Sequence, residues 1–182
     1  DVGIIGFPNA GKSTLISRIS NARPKVAGYP FTTLVPNLGI VKLEEGESFV
    51  AADIPGLIEG AHKGKGLGHQ FLRHIERTRL LLHLIDFSDV ETENILDRYH
   101  KLQKELKAFS KDLFDKPQIL VATKMDASQS VINFKNMGPL MNELNPFLFA
   151  VSSVTGEGIE KLLWKIKECL IAEKLKEEEK EL

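Results

Sequence analysis

Residues 6–13 read Gly6-Phe7-Pro8-Asn9-Ala10-Gly11-Lys12-Ser13. This stretch follows the apolar run from Val2 to Ile5 and precedes a helical pattern that begins at Thr14. A strand, a glycine loop and a helix in this order form the context that a phosphate-binding P-loop requires. The glycines let the backbone turn its N–H groups inward, and the following helix presents its positive end to a polyphosphate. The sequence therefore predicts a nucleotide-binding protein.

Two side chains of this loop have a specific chemical role. Lys12 places a positive charge on the β- and γ-phosphates and is predicted to be catalytic, while the Ser13 hydroxyl can ligate Mg²⁺. We expect Thr14 and the remaining residues of the loop to contact the nucleotide. A chance match in a glycine-containing turn is the alternative, and the flanking strand and helix argue against it.

The composition is that of an ordinary globular protein. The chain has 182 residues, of which 42% are hydrophobic and 27% are charged, and its formal net charge is −1. This balance gives no global electrostatic reason to bind nucleic acid. No apolar run approaches the ~20 residues that a membrane span needs. The single cysteine, Cys169, cannot form an internal disulfide, which fits a reducing, cytoplasmic location.

The predicted organisation is one domain over residues 1–172, followed by a charged helix end or tail over residues 173–182. A chain of this length can bury a full core. Because the sequence starts at Asp1 and enters a strand-like run at once, we expect a piece of a longer protein that has flanking domains.

Short apolar runs alternate with helical patterns along the chain. Apolar residues at helical spacing predict helices from Ile95 to Phe109 and from Ile159 to Leu170. We predict an α/β fold with a mostly parallel six-stranded sheet, one antiparallel edge strand formed by a hairpin around Glu44–Glu47, and helices on both faces. The six strand-like runs are Val2–Ile5, Leu38–Leu43, Phe49–Ala52, Leu80–Ile85, Ile119–Ala122 and Phe147–Val151.

In such a sheet, ligands bind at the carboxyl ends of the strands. Residues that can bind a metal ion or a phosphate follow the third strand-like run, Phe49–Ala52. The sequence there is Asp53-Ile54-Pro55-Gly56. Asp53 can hold Mg²⁺ through water. Gly56 can bring its N–H close to a γ-phosphate and is predicted to be catalytic. A strand-terminal Asp before a turn is common, but its place about forty residues after Lys12 favours the metal role.

The sequence Thr123-Lys124-Met125-Asp126 follows the fifth run. Asp126 can accept hydrogen bonds from the N1–H and the exocyclic amine of guanine, a donor pair that adenine lacks, so it selects the base. The Lys124 stem can lie along the base while its ammonium reaches the glycine loop. An ordinary surface turn is the alternative.

Two further loops complete the candidate site. The backbone of Ser152, Ser153 and Val154, after the last strand, can contact the guanine carbonyl, although such a loop can also simply cap a helix. Between the P-loop and Asp53, Thr33, or failing that Thr32, can complete the Mg²⁺ shell and sense the γ-phosphate, which makes Thr33 a predicted catalytic residue. The neighbours expected to contact the nucleotide are Phe31, Leu34 and Val35.

With these residues in view, nearly the whole chain resembles the G domain of the Obg family of translation-factor-type GTPases. The resemblance rests on the P-loop, on Thr123–Asp126 and on four other strings. These are Tyr29-Pro30-Phe31-Thr32-Thr33-Leu34-Val35-Pro36-Asn37-Leu38-Gly39, Asp53-Ile54-Pro55-Gly56-Leu57-Ile58-Glu59-Gly60-Ala61, Gly64-Lys65-Gly66-Leu67-Gly68 and Val154-Thr155-Gly156-Glu157-Gly158. Thr123 departs from the pattern, because the family usually has Asn there, and we expect a somewhat lower guanine affinity.

The resemblance implies a P-loop NTPase fold of the Ras-like G-domain type that binds GTP and GDP and hydrolyses GTP with Mg²⁺. It also implies association with the large ribosomal subunit or its RNA, a role in assembly of that subunit, and sensitivity to guanosine tetraphosphate. Members of the family carry a glycine-rich N-terminal domain, which agrees with the expectation of a longer protein.

The segment after Asp53 bears on the mechanism. Its glycines make it pliable, either as a plain surface loop or as a switch held by the γ-phosphate and released on hydrolysis. Leu57 stands where many small GTPases have a water-orienting Gln, so we expect slow intrinsic turnover. An arginine finger or K⁺ can compensate. Asn9 resembles the P-loop Asn that ligates K⁺ in cation-activated relatives, although it can also simply cap the loop.

Basic residues are concentrated between positions 62 and 79, where Glu76 is the only acid. They are either a solvated helix face or a patch that faces RNA or the ribosome beside the switch. The residues are His62, Lys63, Lys65, His69, Arg73, His74, Arg77 and Arg79. We expect His83, which lies in an apolar run, to be a core histidine with satisfied hydrogen bonds.

The leading hypothesis is therefore a GTP-hydrolysing switch. A nucleotide-sensing module with negligible turnover is the alternative that Leu57 suggests. A P-loop kinase is a third, but a kinase needs a lid with clustered arginines and has no need of Asp126.

Overall fold

The computed structural model describes residues 1–20, 25–26, 37–43, 46–54, 76–89 and 91–180, with residues 25 and 26 described by their backbone. In this part of the chain, seven strands form a single sheet in the order β2-β3-β4-β1-β5-β6-β7. The strands are β1 (Val2–Gly6), β2 (Lys25–Val26), β3 (Asn37–Lys42), β4 (Ser48–Asp53), β5 (Leu80–Asp86), β6 (Gln118–Thr123) and β7 (Leu148–Ala150).

The sheet confirms the predicted α/β class, and all six predicted strands are present. Only β3 runs against the others, because it pairs antiparallel with both β2 and β4. The remaining strand pairs are parallel. β2 was not predicted, because its two residues are too few to show an alternating pattern. It lies at the edge outside β3, so the predicted antiparallel strand is second from the edge of the described sheet rather than at the edge.

The described part of the chain has five helices that cover both faces of the sheet. The predicted helices are confirmed, with small differences at their ends. Pro139 lies inside the fourth helix. The helices are α1 (Lys12–Ile19), α2 (Glu93–Phe109), α3 (Lys111–Phe114), α4 (Ser128–Leu144) and α5 (Ile159–Lys180).

Side-chain alternation in the central strands divides the core between the two faces. The even-numbered leucines of β5, such as Leu82, pack with Leu15 of α1 and Leu162 of α5. On the other face, Leu81 packs with Leu102 of α2. The central strands are buried on both faces, which is why they appear in the sequence as continuous apolar runs rather than as alternating ones.

His83 is a buried polar residue on the α2 face of β5. Its ring stacks on Tyr99 with centroids 5.5 Å apart, and its Nδ1 lies 3.3 Å from Nε2 of Gln103. Burial lowers the pKa of His83 to about 3, so the ring is neutral at ordinary pH. The prediction of a core histidine with satisfied hydrogen bonds is confirmed.

Two smaller expectations concern the C-terminal helix. Cys169, which was expected to form no internal disulfide, is a half-buried free cysteine that packs against the core between the sheet and helices α1 and α5. The charged segment is helical as far as Lys180 and carries pairs at helical spacing, including Lys176 with Glu173. Among the described helices, none is long and apolar enough to cross a bilayer.

Candidate nucleotide-binding site

The glycine loop lies between β1 and α1, and its two glycines have different reasons to be glycine. A Cβ on Gly6 would lie 2.7 Å from the Leu84 carbonyl oxygen of β5, so the close approach of the strands excludes a side chain. Gly11, directly before α1, has a φ of +89°, which favours glycine. Asn9 also has a positive φ, of 64°. These conformations curl the loop over the end of β1.

Lys12, the first residue of α1, is turned back across this loop. Its Nζ donates to the carbonyl oxygens of Gly6 at 2.9 Å and Phe7 at 3.2 Å. Burial lowers the pKa of Lys12, and the negative charge of Asp53 opposes that effect. The ammonium is therefore held at the mouth of the loop by neutral oxygens, which compensate its charge poorly.

Asp53 ends β4 and lies beside Ile4 of β1, so parallel pairing brings it to the end of the sheet where the glycine loop begins. Only 7% of Asp53 is exposed. Burial raises the pKa of its carboxyl group, and the neighbouring Lys12 charge and a hydrogen bond from Asn37 act in the opposite direction. Its Oδ1 is buried without a hydrogen-bond partner among the described residues.

These groups fit a magnesium ion. Mg²⁺ prefers oxygen ligands, keeps several waters, and is usually held by one or two protein groups together with substrate phosphates. The Ser13 hydroxyl and Asp53 belong to this donor class, and the unpartnered Asp53 Oδ1 can accept a hydrogen bond from a metal-bound water. Among the described residues, no group of three or more His, Cys, Asp or Glu side chains could form an all-protein metal cage.

Thr123, the last residue of β6, contacts the glycine loop. Its hydroxyl lies 2.9 Å from the Ala10 carbonyl oxygen and 3.2 Å from that of Ile85, and the residue is 2% exposed. The hydroxyl therefore connects the phosphate loop, β5 and β6. The departure from Asn at this position predicted a somewhat lower guanine affinity, and the structure shows that the Thr123 hydroxyl also holds the glycine loop.

Lys124 follows with a positive φ of 60°, an uncommon conformation for a residue with a side chain. Its Nζ lies 2.6 Å from Asp86 Oδ2 at the end of β5. Burial raises the pKa of Asp86, but hydrogen bonds from Lys124 and Ser88 outweigh it and bring that pKa below its usual value. The ammonium thus contacts Asp86, whereas the sequence analysis expected it to reach the glycine loop.

Asp126 is held by the loop after β7. Its Oδ1 accepts a hydrogen bond from the Ser152 hydroxyl at 2.6 Å, and the same hydroxyl accepts one from the Thr155 amide at 3.1 Å. The Met125 amide donates to the Val151 carbonyl oxygen at 3.1 Å. The structure therefore brings together the two loops that the sequence assigns to the base.

The loop after β7 is itself fixed by close approaches. A Cβ on Gly158 would lie 2.1 Å from the Ala150 carbonyl oxygen, and the φ of this glycine is +75°. Arg18 of α1 donates to the Thr155 carbonyl oxygen at 3.3 Å. Helix α1, which follows the glycine loop, thus supports the loop after β7 through Arg18.

Several predicted site residues lie outside the described residues, and their predictions stay untested. They are Phe31, Thr32, Thr33, Leu34 and Val35 before β3, Pro55, Gly56 and Leu57 after β4, and the basic residues from His62 to His74. Of the basic run, Arg77 and Arg79 are described. Arg79 forms ion pairs with Asp1 and Glu177.

Three residues near the site were not predicted. Asn37 donates from Nδ2 to the Ser13 hydroxyl oxygen at 3.3 Å, Asp86 binds Lys124, and Arg18 supports the loop after β7. Asp86 ends a predicted strand, so the strand-end rule used for Asp53 could have found it. Asn37 belongs to a quoted motif, but only the tertiary contact reveals what it touches.

Comparison with known sequences identifies a family. Residues 1–124 match a family model described as "50S ribosome-binding GTPase". The chain is 54% identical over 165 residues to a GTPase Obg of Syntrophomonas wolfei, covering 91% of this chain and 39% of that protein. It is also 54% identical over 179 residues to one of a Sulfurihydrogenibium species, covering 98% of this chain and 51% of that protein. The chain thus spans about half or less of the length of these relatives.

Solved structures share the fold at lower sequence identity. The G domain of the T. maritima FeoB iron transporter has a TM-score of 0.65 at 23% identity, covering 93% of this chain and 97% of that one. Era in complex with MgGDPNP and a segment of 16S ribosomal RNA has a TM-score of 0.67 at 24% identity, covering 91% of this chain and 54% of that one. This likeness confirms the G-domain fold.

Proposed function

We propose a GTP-hydrolysing switch function on one premise: the chain belongs to the Obg family of GTPases. The domain binds GTP with Mg²⁺, cleaves it to GDP and phosphate, and differs in conformation between the two nucleotide states. A nearly complete G-domain fold supports this proposal, since the chain covers 97% of the FeoB G domain with which it was compared.

One observation carries the proposal. The glycine loop, the base-recognition turn and the loop after the last strand meet at one rim of the sheet, and side chains connect them. Thr123 binds the Ala10 carbonyl oxygen, and Ser152 binds Asp126. Because β1, β4, β6 and β7 run in the same direction, their carboxyl ends lie at this rim, where open α/β sheets bind ligands.

At the phosphate side, residues of the chain bind and orient the nucleotide phosphates and neutralise their charge. Lys12 exchanges its carbonyl partners for phosphate oxygens, and the curled backbone of the loop donates N–H groups to the same oxygens. Bound Mg²⁺ would neutralise charge that develops on the β- and γ-phosphates. Ser13 and Thr33 would hold it directly and Asp53 through water, while Gly56 would donate its N–H to the γ-phosphate.

At the base side, Asp126 supplies specificity. Its carboxylate accepts from two donors of guanine, and the Ser152 hydroxyl holds that carboxylate in place. A site built on paired hydrogen bonds discriminates strongly against an analogue that lacks one of them, by about 10⁴-fold or more in well-studied enzymes. The backbone of Ser153 and Val154 lies in the adjoining loop, within the segment expected to contact the guanine carbonyl.

The experiment that tests this function measures the affinities for GTP, ATP and XTP of the wild type and of Asp126→Asn. We expect the wild type to prefer GTP and the variant to prefer XTP, because an amide in place of the carboxylate matches the oxygen that xanthine carries. Asp97→Asn, on the exposed face of α2, is the matched control and should keep the wild-type preference. A wild type that binds ATP as well as GTP would contradict the proposal.

A second candidate function is a nucleotide sensor with negligible turnover. It is motivated by Leu57, whose apolar side chain cannot orient the attacking water. Single-turnover GTP hydrolysis, measured with and without ribosomes, separates the two functions. Acceleration by ribosomes supports the switch, while no hydrolysis in either condition supports the sensor. Leu57→Ala should leave the intrinsic rate nearly unchanged if Leu57 takes no part in the chemistry.

Potassium is a further proposed cofactor. Asn9 would ligate K⁺ beside the phosphates. The ion would then supply positive charge in compensation for the water-orienting side chain that Leu57 does not provide. Asn9 lies within the glycine loop with a positive φ of 64°, which is compatible with this role. Hydrolysis rates in potassium and sodium buffers test it, and equal rates would contradict it.

The proposed partners are the large ribosomal subunit and guanosine tetraphosphate, and the proposed location is cytoplasmic. The description of the matching family supports the ribosomal partner. The basic run before β5 is the proposed contact with ribosomal RNA. Reversing the charges of Arg73 and Arg77 should weaken ribosome binding and reduce its salt dependence, and unchanged binding would contradict this contact.

A further inference from the structure

Asn37 is a polar residue at the rim of the sheet to which neither the sequence analysis nor the proposed function gives a role. Its side-chain Nδ2 donates to the Ser13 hydroxyl oxygen at 3.3 Å. Asn37 also lies next to Asp53, because Leu38 and Ala52 are paired across β3 and β4, and its amide acts against the rise in the pKa of that carboxyl group. It therefore binds one of the described residues that the proposed function assigns to Mg²⁺ and neighbours the other.

The topology explains how a residue of β3 reaches this position. Among the described strands, β3 alone runs against the others, so its first residue lies at the rim where the parallel strands end. Asn37 is that first residue, and β3 pairs directly with β4, which ends at Asp53. Asn37 and Asp53 thus belong to the same end of neighbouring strands, above the start of α1.

We propose that Asn37 is a positioning residue of the magnesium site, whose amide binds the Ser13 hydroxyl beside Asp53 in the metal-free protein and has to release Ser13 when Mg²⁺ binds. This inference rests on the proposed function. Asn37 competes with the metal for the Ser13 hydroxyl oxygen, so the residue lowers the affinity for Mg²⁺ rather than raising it.

The physical reason is that the Asn37 amide and the metal both need the Ser13 hydroxyl oxygen. The amide hydrogens carry partial positive charge and point at the Ser13 hydroxyl oxygen, which would be a direct metal ligand. A divalent cation on that oxygen repels those hydrogens, and the hydrogen bond is lost when the metal arrives. One such bond contributes a factor of about 3 to 10 to an equilibrium constant.

The test measures GDP affinity as a function of free Mg²⁺, with a fluorescent GDP analogue as the reporter. The variants are Asn37→Ala and Asn37→Leu, the second of which keeps the side-chain size without its donor. We expect both to reach half-saturation at about 3- to 10-fold lower free Mg²⁺, while their GDP affinity in EDTA stays within about twofold of wild type. Lys42→Ala, at the exposed far end of β3, should behave as wild type.

An unchanged or increased requirement for Mg²⁺ in the folded variants would overturn the inference. A second measurement uses the unaltered protein and so does not depend on how the variants fold. The side-chain amide NMR signals of Asn37 in the GDP-bound protein should shift when Mg²⁺ is added, and signals that stay in place would also overturn it. A wild type that fails to bind GDP would contradict the proposed function instead, so the two failures can be told apart.

Discussion

The two ends of the candidate site differ in how well their polar groups are satisfied. At the base end, Thr123, Lys124 and Asp126 each have a side-chain partner or a backbone acceptor within the protein. At the phosphate end, the partners of Lys12 in the described part of the chain are neutral carbonyl oxygens of its own loop, and Asp53 keeps a buried oxygen without a partner there.

This difference indicates what each end does. Satisfied groups keep their geometry whether or not a ligand is present, so the base end is pre-organised for recognition. Charged groups that are buried with weak partners gain most when a ligand supplies the missing charge. The phosphate end is therefore where nucleotide and metal change the free energy of the protein most.

The largest expected effect is at the phosphate end. Lys12→Met should weaken GTP and GDP binding by at least about 100-fold, because charge-assisted hydrogen bonds to phosphate contribute about 1.5–3 kcal/mol each. Nucleotide titration by calorimetry or fluorescence measures this loss. Lys42→Met, on the exposed surface of β3, is the control. If Lys12→Met weakened nucleotide binding by less than about tenfold, the proposed difference between the phosphate end and the base end would be contradicted.

The next effect concerns the connection between the ends. Thr123→Val removes the hydroxyl that binds the Ala10 and Ile85 carbonyl oxygens, and leaves these buried acceptors without that donor. We expect about tenfold weaker binding of all nucleotides, since the loss of one buried hydrogen bond costs about 1–2 kcal/mol. The ratio of GTP to XTP affinity should not change, because Asp126 is untouched. Thr123→Ser should restore most of the binding, and no restoration would show that the methyl group matters instead.

A smaller and more selective effect is expected within the base end. Ser152→Ala frees the Asp126 carboxylate from its hydroxyl partner, and about fivefold weaker GTP binding should follow. Binding of XTP, which is already weak, should change less. Ser130→Ala in α4 is the matched control, because its hydroxyl is also buried but has no hydrogen-bond partner among the described residues. Equal losses for GTP and XTP would mean that Ser152 only supports the fold.

The smallest expected effect is on the free energy of unfolding. It is a gain, whereas the preceding effects are losses of nucleotide affinity. Burial raises the pKa of Asp53, so the native protein binds more protons there than the unfolded chain. Its stability therefore falls as the pH rises from about 4 through the native pKa. Asp53→Asn removes this cost. The nucleotide-free variant should gain up to about 1 kcal/mol at pH 7, because relief of the unpartnered oxygen is partly offset by the lost attraction to Lys12.

Thermal unfolding in EDTA measures this gain, which corresponds to a rise in Tm of about 2–4 °C for a chain of this size. The difference between variant and wild type should shrink as the pH falls and disappear below about pH 3, where the carboxyl group is mostly protonated in both the native and the unfolded state. A variant that is less stable than wild type at pH 7 would show that the attraction between Asp53 and Lys12 outweighs the burial of the carboxylate.

Much of the fold could be predicted because its strands and helices follow local patterns. The six predicted strands contain short apolar runs, and α2 and α5 carry apolar stripes such as Ile95 and Leu102 in α2 and Leu162 in α5. Two features could not be found in this way. A strand of two residues, Lys25–Val26, has no period of its own and exists only because β3 offers an edge. Helix α4 contains Pro139, which argues against a helix when local propensity is considered alone.

In the candidate site, the chemistry could be predicted from residue type and spacing: a glycine loop with Lys12 and Ser13, a strand-end carboxylate at Asp53, and a base-selecting carboxylate at Asp126. Local patterns were enough for these, because each motif is a contiguous segment that carries its own function. The contacts between segments became visible in the folded chain: Thr123 with the glycine loop, Lys124 with Asp86, Ser152 with Asp126 and Asn37 with Ser13. These depend on strand order and direction, which place residues far apart in the chain at the same rim of the sheet and which no local pattern records.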